Sequence, residues 1–167
     1  MIKPLSQRIL VDVNGSDQSV HAAMYAIMMA KQYHCALKVV YVVDTATLRQ
    51  LTLSKFFVAD ESADYEANLC ADGDRYLSYI GDLAKSKGIK IEAELLKGAV
   101  WSEIITAADD FKANLILVGG KPHSSDASRG SINRDAISST NSEIIGSAHC
   151  SVLVVREPQI EQLFKLS

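Results

Sequence analysis

Apolar and polar positions switch between two periods along this chain. Arg8 to Val13 is a short β-branched run that stops at Asn14-Gly15-Ser16, the pattern of a strand running into a turn. Ser16 or Asp17 then caps a helix, because Val20, Ala23, Met24, Ile27 and Ala30 recur at helical spacing. Ala36 to Val43 is apolar on both faces, which predicts a central strand of a sheet covered on both sides. From Asp44 to about Ser62 the signal is weak and predicts a loop with room for one helical turn. Tyr65 to Lys87 carries Leu69, Tyr76, Leu77, Ile80 and Leu83 on one helical stripe and is ended by Gly88. Ile89 to Leu96 alternates as a strand exposed on one face, and Trp101 to Phe111 is a helix that turns Ile104, Ile105 and Ala108 inward. Leu115 to Val118 is a short apolar strand ending at Gly119-Gly120. Lys121 to Arg134 reads as a loop, Ala136 to Gly146 as a fourth helix, and Val152 to Val155 as the last strand.

Strands alternating with helices in this way predict an α/β fold, an open parallel five-stranded sheet with helices on both faces. Ligands of such sheets sit beyond the carboxyl ends of the strands, where strand order reverses. Two segments suit that place, Asp12 to Ser16 and the stretch from Gly119 onward. Both put glycine where a strand gives way to a loop, so backbone N–H groups can approach an anion.

The length of 167 residues allows one domain, set at residues 1–158 with a C-terminal tail over 159–167. With 17 basic and 20 acidic residues the net charge is -3, which offers no electrostatic footprint for duplex nucleic acid or an anionic membrane. Cys35, Cys70 and Cys150 are too few and too far apart for a disulfide framework or a thiolate zinc site. The N-terminus turns polar too soon for a signal peptide, and the longest apolar run, Ala22 to Ala30, is too short to span a membrane. These features place the expected protein in the cytoplasm. His21, His34 and His149 are too scattered for a metal site, Cys150 reads as a buried thiol, and Tyr76, Tyr79 and Trp101 are expected in the core.

Four segments, in order, resemble the universal stress protein family. Arg8-Ile-Leu-Val-Asp-Val-Asn-Gly-Ser16 is similar to its opening I-L-V-P-V-D-G-S, and Val39-Val-Tyr-Val-Val-Asp44 to its L-L-H-V-V-D. Trp101 to Gly119 resembles E-E-I-x-x-A-A-x-x-x-x-A-D-L-I-V-M-G, and Ala148 to Arg156 matches A-P-C-P-V-L-V-V-R without the two prolines. The resemblance implies the adenine-nucleotide alpha-hydrolase-like fold, strand order 3-2-1-4-5, and a non-catalytic binding protein of the stress response. It also implies an ATP or AMP site at Asp12, Val13, Asn14, Val42, Val118, Gly119 and Gly120.

ATP-binding members continue with G-x2-G-x9-G-[ST]. Here Pro122 stands at the second glycine, Asp12 replaces the family's proline, and Asn14 replaces its adenosine-contacting aspartate. Two placements compete for the final Gly-Ser pair. Counting forward gives Gly130-Ser131. Counting back from Val152 gives Ser138-Ser139, which puts the extra residues in a loop, where insertion is tolerated. The second is preferred, and a Ser-Ser pair there resembles the branch without the glycine signature. Weak or absent ATP binding is therefore expected.

A second resemblance is to the D-x-D-G-[ST] turn of Mg²⁺-dependent phosphatases, with Asp12 as nucleophile, but no acidic pair follows Leu115 to Val118 to hold the metal. For assembly, Val152, Leu153, Val154 and Val155 form an apolar edge without lysine or proline, and universal stress proteins pair fifth strands across a two-fold axis; a homodimer is expected. The tail, with Ile160, Leu163 and Phe164 at helical spacing, then covers the seam or crosses to the partner, or, in a monomer, folds back over its own edge strand.

Overall fold

The computed structural model describes residues 4–5, 7–54, 59–121 and 138–167. The chain runs β1 (Arg8–Asp12), α1 (Asp17–Tyr33), β2 (Ala36–Asp44), α2 (Thr45–Leu53), α3 (Ala59–Ser86), β3 (Ile91–Gly98), α4 (Val100–Phe111), β4 (Leu115–Gly119), α5 (Ser139–Ser147), β5 (Ser151–Val155) and α6 (Ile160–Leu166). Five strands form one sheet in the order β3-β2-β1-β4-β5, and every pairing is parallel. The order reverses between β1 and β4, where Ile9 lies beside Leu115 and Val11 beside Leu117. This is the adenine-nucleotide alpha-hydrolase-like architecture that the family resemblance implied.

Strand alternation builds two cores. Ile9, Val11 and Val13 join Val39, Tyr41 and Val43 on one face, under α1, α3 and α6. Leu10, Val40, Val42, Ile116 and Val118 face the other way, under Ile104 of α4 and Ile144 of α5. β2 is buried from Val39 to Val43, as its unbroken apolar run required. Lys38, in the same strand, reaches Glu94 of the neighbouring edge strand at 2.6 Å.

Four expectations are corrected. The weak stretch after Asp44 holds a full helix, α2, not a loop. Asp44 caps it by accepting from the Thr47 amide at 3.0 Å, while Thr47 Oγ1 donates to the same carboxylate. Its three threonines and single buried residue, Leu48, hid it from periodicity. Next, α3 starts at Ala59 and not at Tyr65, beginning with a run of polar residues. Tyr79 and Trp101 are exposed at 46% and 40%, whereas Tyr76 does pack on the larger core, stacked with Tyr41 at 6.2 Å. Cys150 is only partly buried.

The segment beyond residue 158 is helical, and Ile160 and Phe164 are buried in the larger core against α1. His21 of α1 meets Glu161 at 3.0 Å. Within the single chain the tail packs mainly on its own α1 and not over its edge strand. It covers the α1 side of the molecule and adds no strand beside β5. No helix among the described residues is long and apolar enough to cross a membrane.

Candidate functional site

A cavity of about 300 Å³ opens at the carboxyl ends of β1 and β4, at the point where strand order reverses. Three local structures make it. The first is the turn after β1. Gly15 takes φ +84°, which favours glycine, and Ser16 caps α1 by accepting from the Ser19 amide at 3.1 Å. Asn14 Oδ1 accepts from the Ser16 amide at 3.0 Å and from Ser16 Oγ at 2.6 Å. The carboxamide oxygen is thereby used inside the turn, and the Nδ2 group is the part of Asn14 left to donate to a ligand.

The second is the Gly119-Gly120 end of β4. A Cβ on Gly119 would lie 2.4 Å from the Gln18 carbonyl, so this glycine lets the first turn of α1 sit against the strand. A Cβ on Gly120 would meet Val154 at 2.6 Å. Both residues line the cavity, but packing already explains why neither has a side chain.

The third is the start of α5. Ser138 is its N-cap and accepts from the Asn141 amide at 3.1 Å, while Asn141 Nδ2 donates to the Gly119 carbonyl at 3.0 Å and ties the helix to β4. As the first two residues of the helix, Ser139 and Thr140 have amides with no intrahelical acceptor, and Thr140 is at the cavity wall. The positive end of the helix dipole is added to this corner. The charged residues among those lining the cavity are Lys121 and Arg156, both basic, and Arg156 Nη1 donates to the Lys121 carbonyl at 2.8 Å. Two cations, uncapped amides and a switch-point cleft have the chemistry that suits a small anion.

The residues expected from sequence divide accordingly. Asn14, Val42, Gly119, Gly120 and Ser138 line the cavity. Ser139 stands beside Ser138 at the helix start. Val118 lies beneath in the smaller core, and Val13 points to the opposite face of the sheet, where its side chain cannot meet a ligand in this cavity. Gly130, Ser131 and Pro122 fall outside the described residues. Sequence reasoning missed Lys121 and Arg156 as a pair, because 35 positions separate them and only the β4–β5 pairing brings them together.

Asp12 has a different environment. Ile9, Val11 and Val13 face the larger core and Leu10 the smaller, so alternation sends Asp12 to the smaller side. It is level with Val40 in the register and shares its face with Val42, which lines the cavity. It is 4% exposed, and its Oδ1 has no hydrogen-bond partner among the described residues. Burial without compensation pushes the carboxyl up from 3.8 to about 7. A phosphatase nucleophile would need an ionised carboxylate beside a metal. Asp12 is instead covered, and among the described residues no three metal-ligating side chains group together.

The sequence and the fold were compared with known proteins. A sequence model described as the universal stress protein family matches residues 6–156. A universal stress protein of Methanocaldococcus jannaschii is 31% identical over 158 residues, covering 94% of this chain and 86% of that protein. The crystal structure of a protein of the same family from Burkholderia pseudomallei superposes with a TM-score of 0.69 at 21% identity, covering 92% of this chain and 98% of the other. A universal stress protein from Archaeoglobus fulgidus, solved in complex with dAMP, gives 0.60 at 17% identity, over 92% of this chain and all of that one, 100%.

Proposed function

The chain belongs to the universal stress protein family, and from that premise we propose that it is a non-catalytic, cytoplasmic binding protein whose switch-point cavity takes an AMP-type ligand and takes ATP only weakly. The observation that supports this reading most is the charge of the cavity. Lys121 and Arg156 face the start of α5 in a space of about 300 Å³, enough for a nucleoside and one phosphate. That a relative is held in complex with dAMP favours the monophosphate. The sequence supports the poorer fit to ATP. Pro122 has no N–H at the position of the second phosphate-loop glycine, and a hydrogen bond to a charged group is worth ~1.5–3 kcal/mol. One such loss is about tenfold or more in affinity. Isothermal titration of the purified protein tests the reading. AMP is expected to bind at least tenfold more tightly than ATP; sub-micromolar ATP binding, or no AMP saturation at millimolar concentration, would overturn it.

The same proposal includes a homodimer through Val152, Leu153, Val154 and Val155. β5 is an edge strand with no charged residue, and its outer N–H and C=O groups match those of a second copy across a two-fold axis. Light scattering at tens of micromolar is expected to give twice the chain mass, and a monomer would remove this part of the reading.

A further inference from the structure

We propose that a second cavity, between α2 and α3 at the carboxyl end of β2, binds a small ring-bearing amine in its ammonium form. The inference stands apart from the nucleotide reading, because Lys121 and Arg156 carry that reading and neither lines this space.

The cavity measures about 300 Å³ and lies at the same edge of the sheet as the first, with Val42 in the wall of both. One side of it is α2, the helix whose single buried residue is Leu48. Leu48 is 4% exposed, yet it belongs to neither of the two cores. Leu51, a turn further on, is half-buried, and it lines the cavity together with Leu48 and with Leu69 of α3. Apolar side chains beside a hollow lose the dispersion contacts that a filled core would give them. An apolar guest restores those contacts.

The class of guest follows from the rest of the wall. Tyr41 of β2 and Tyr65 of α3 add two phenol rings. The faces of such rings carry the negative end of the quadrupole, which favours the edge of another ring or a cation. Asp44 is the one charged residue among the described residues that line the cavity. Its Oδ1 accepts from the Thr47 amide at 3.0 Å and its Oδ2 from the Thr47 hydroxyl at 2.8 Å, which fixes the carboxylate at the end of β2. Each oxygen keeps a lone pair for a further donor, and a primary ammonium supplies such donors. The two cavities therefore differ in sign. The first offers Lys121 and Arg156 to an anion, whereas the second offers a carboxylate and phenol faces, which repel one. A ring joined to its ammonium by a short chain sets the ring among the leucines and the charge at Asp44.

The experiment is an NMR titration of the full chain, following backbone amides, with probes matched in shape and different in charge: 2-phenylethylammonium, 2-phenylethanol and phenylacetate. The ammonium is expected to shift the amides of Asp44, Leu48, Leu51 and Leu69. It should bind about fivefold more tightly than the alcohol, the size of a partly exposed ion pair, and phenylacetate should bind more weakly than either. If no probe at millimolar concentration moves the α2 amides, or if phenylacetate binds as tightly as the ammonium, the proposal is overturned. Asp44→Asn keeps a residue that caps a helix as well as aspartate does. In it the alcohol is expected to bind as before and the preference for the ammonium to vanish; a surviving preference would overturn the role of Asp44 and the proposal with it. Leu51→Trp fills the hollow and is expected to abolish binding of all the probes, and undiminished binding again overturns the inference. Should Leu51→Trp fail to fold, nuclear Overhauser contacts in the unaltered protein decide: the ring protons of the ammonium probe must approach the methyl groups of Leu48 and Leu69, and their absence overturns it.

Discussion

The two faces of the sheet are built differently. One lies under α1, α3 and α6 and holds the larger core, apolar throughout, with Ile9, Ile27, Ile80 and Ile160 fully or almost fully buried. The other lies under α4 and α5, holds the smaller core, and carries the buried Asp12 and the switch-point cavity. Apolar burial at roughly 25 cal/mol per Å² therefore stabilises mainly the first face. The second face can contain an uncompensated carboxyl and an open cleft because the first one holds the domain together. Dense apolar packing and the open cleft are divided between the two sides of one sheet.

Four changes break or sharpen this division, in order of their effect on folding free energy. Truncation after Pro158 removes Ile160 and Phe164 from the first face and should cost about 5 kcal/mol, given the cost of deleting large buried side chains. Thermal denaturation should show it, with AMP affinity unchanged within about twofold. A comparable loss of AMP binding would show that the faces are not separate.

Asp12 comes next. Its carboxyl in the folded protein, at about 7, lies above the unfolded value of 3.8. The folded state thus keeps a proton that the unfolded chain has released, and stability falls as pH rises from about 4 to 7, then levels off. The difference between the unaltered protein and Asp12→Asn should change by about 4 kcal/mol across that window. Urea denaturation at pH 4, 5.5, 7 and 8 checks both size and sign.

Gly119→Ala, at the seam where α1 meets β4, should cost about 2 kcal/mol by overpacking against Gln18. AMP binding should also weaken, because the shift displaces the cavity wall. Alanine tolerated with neither effect would mean that the backbone approach is soft. Smallest is Val152→Lys on the edge strand, about 1 kcal/mol for the single chain because the half-buried Val152 packs on the smaller core, yet expected to abolish the dimer in light scattering. Val152 is preferable to Val154, which lines the cavity.

Much of the first face was legible in the sequence, because long amphipathic helices and an unbroken apolar β2 leave strong periodic signals. The turn at Asn14-Gly15-Ser16 was legible from its residues, and the strand order through the family resemblance. The placement of Val13 was not: periodicity assigned it to a strand, but only the alternation observed across β1 shows which side it faces. Helix α2 was missed because a single buried leucine sets no stripe, although the Asp44–Thr47 cap was a usable signal. Lys121 and Arg156 were invisible as a pair, since pairing between distant strands creates their proximity. The sequence showed Asp12 in place of a proline; its orphaned oxygen is a property of the packing around it.

Helix α6 has a consequence for the order in which the chain is made. His21 and Glu161, 140 positions apart, touch in the finished protein, and Phe164 packs in a core that begins at Ile9. During synthesis α1 and the first strands emerge early, while the apolar residues that complete their cover emerge some 140 positions later. Contacts so distant along the chain form slowly, and until residues 160–166 have left the ribosome the α1 surface is open to chaperones and proteases. The larger core therefore closes only once residues 160–166 are free to pack on α1, later than the strands beneath it are made.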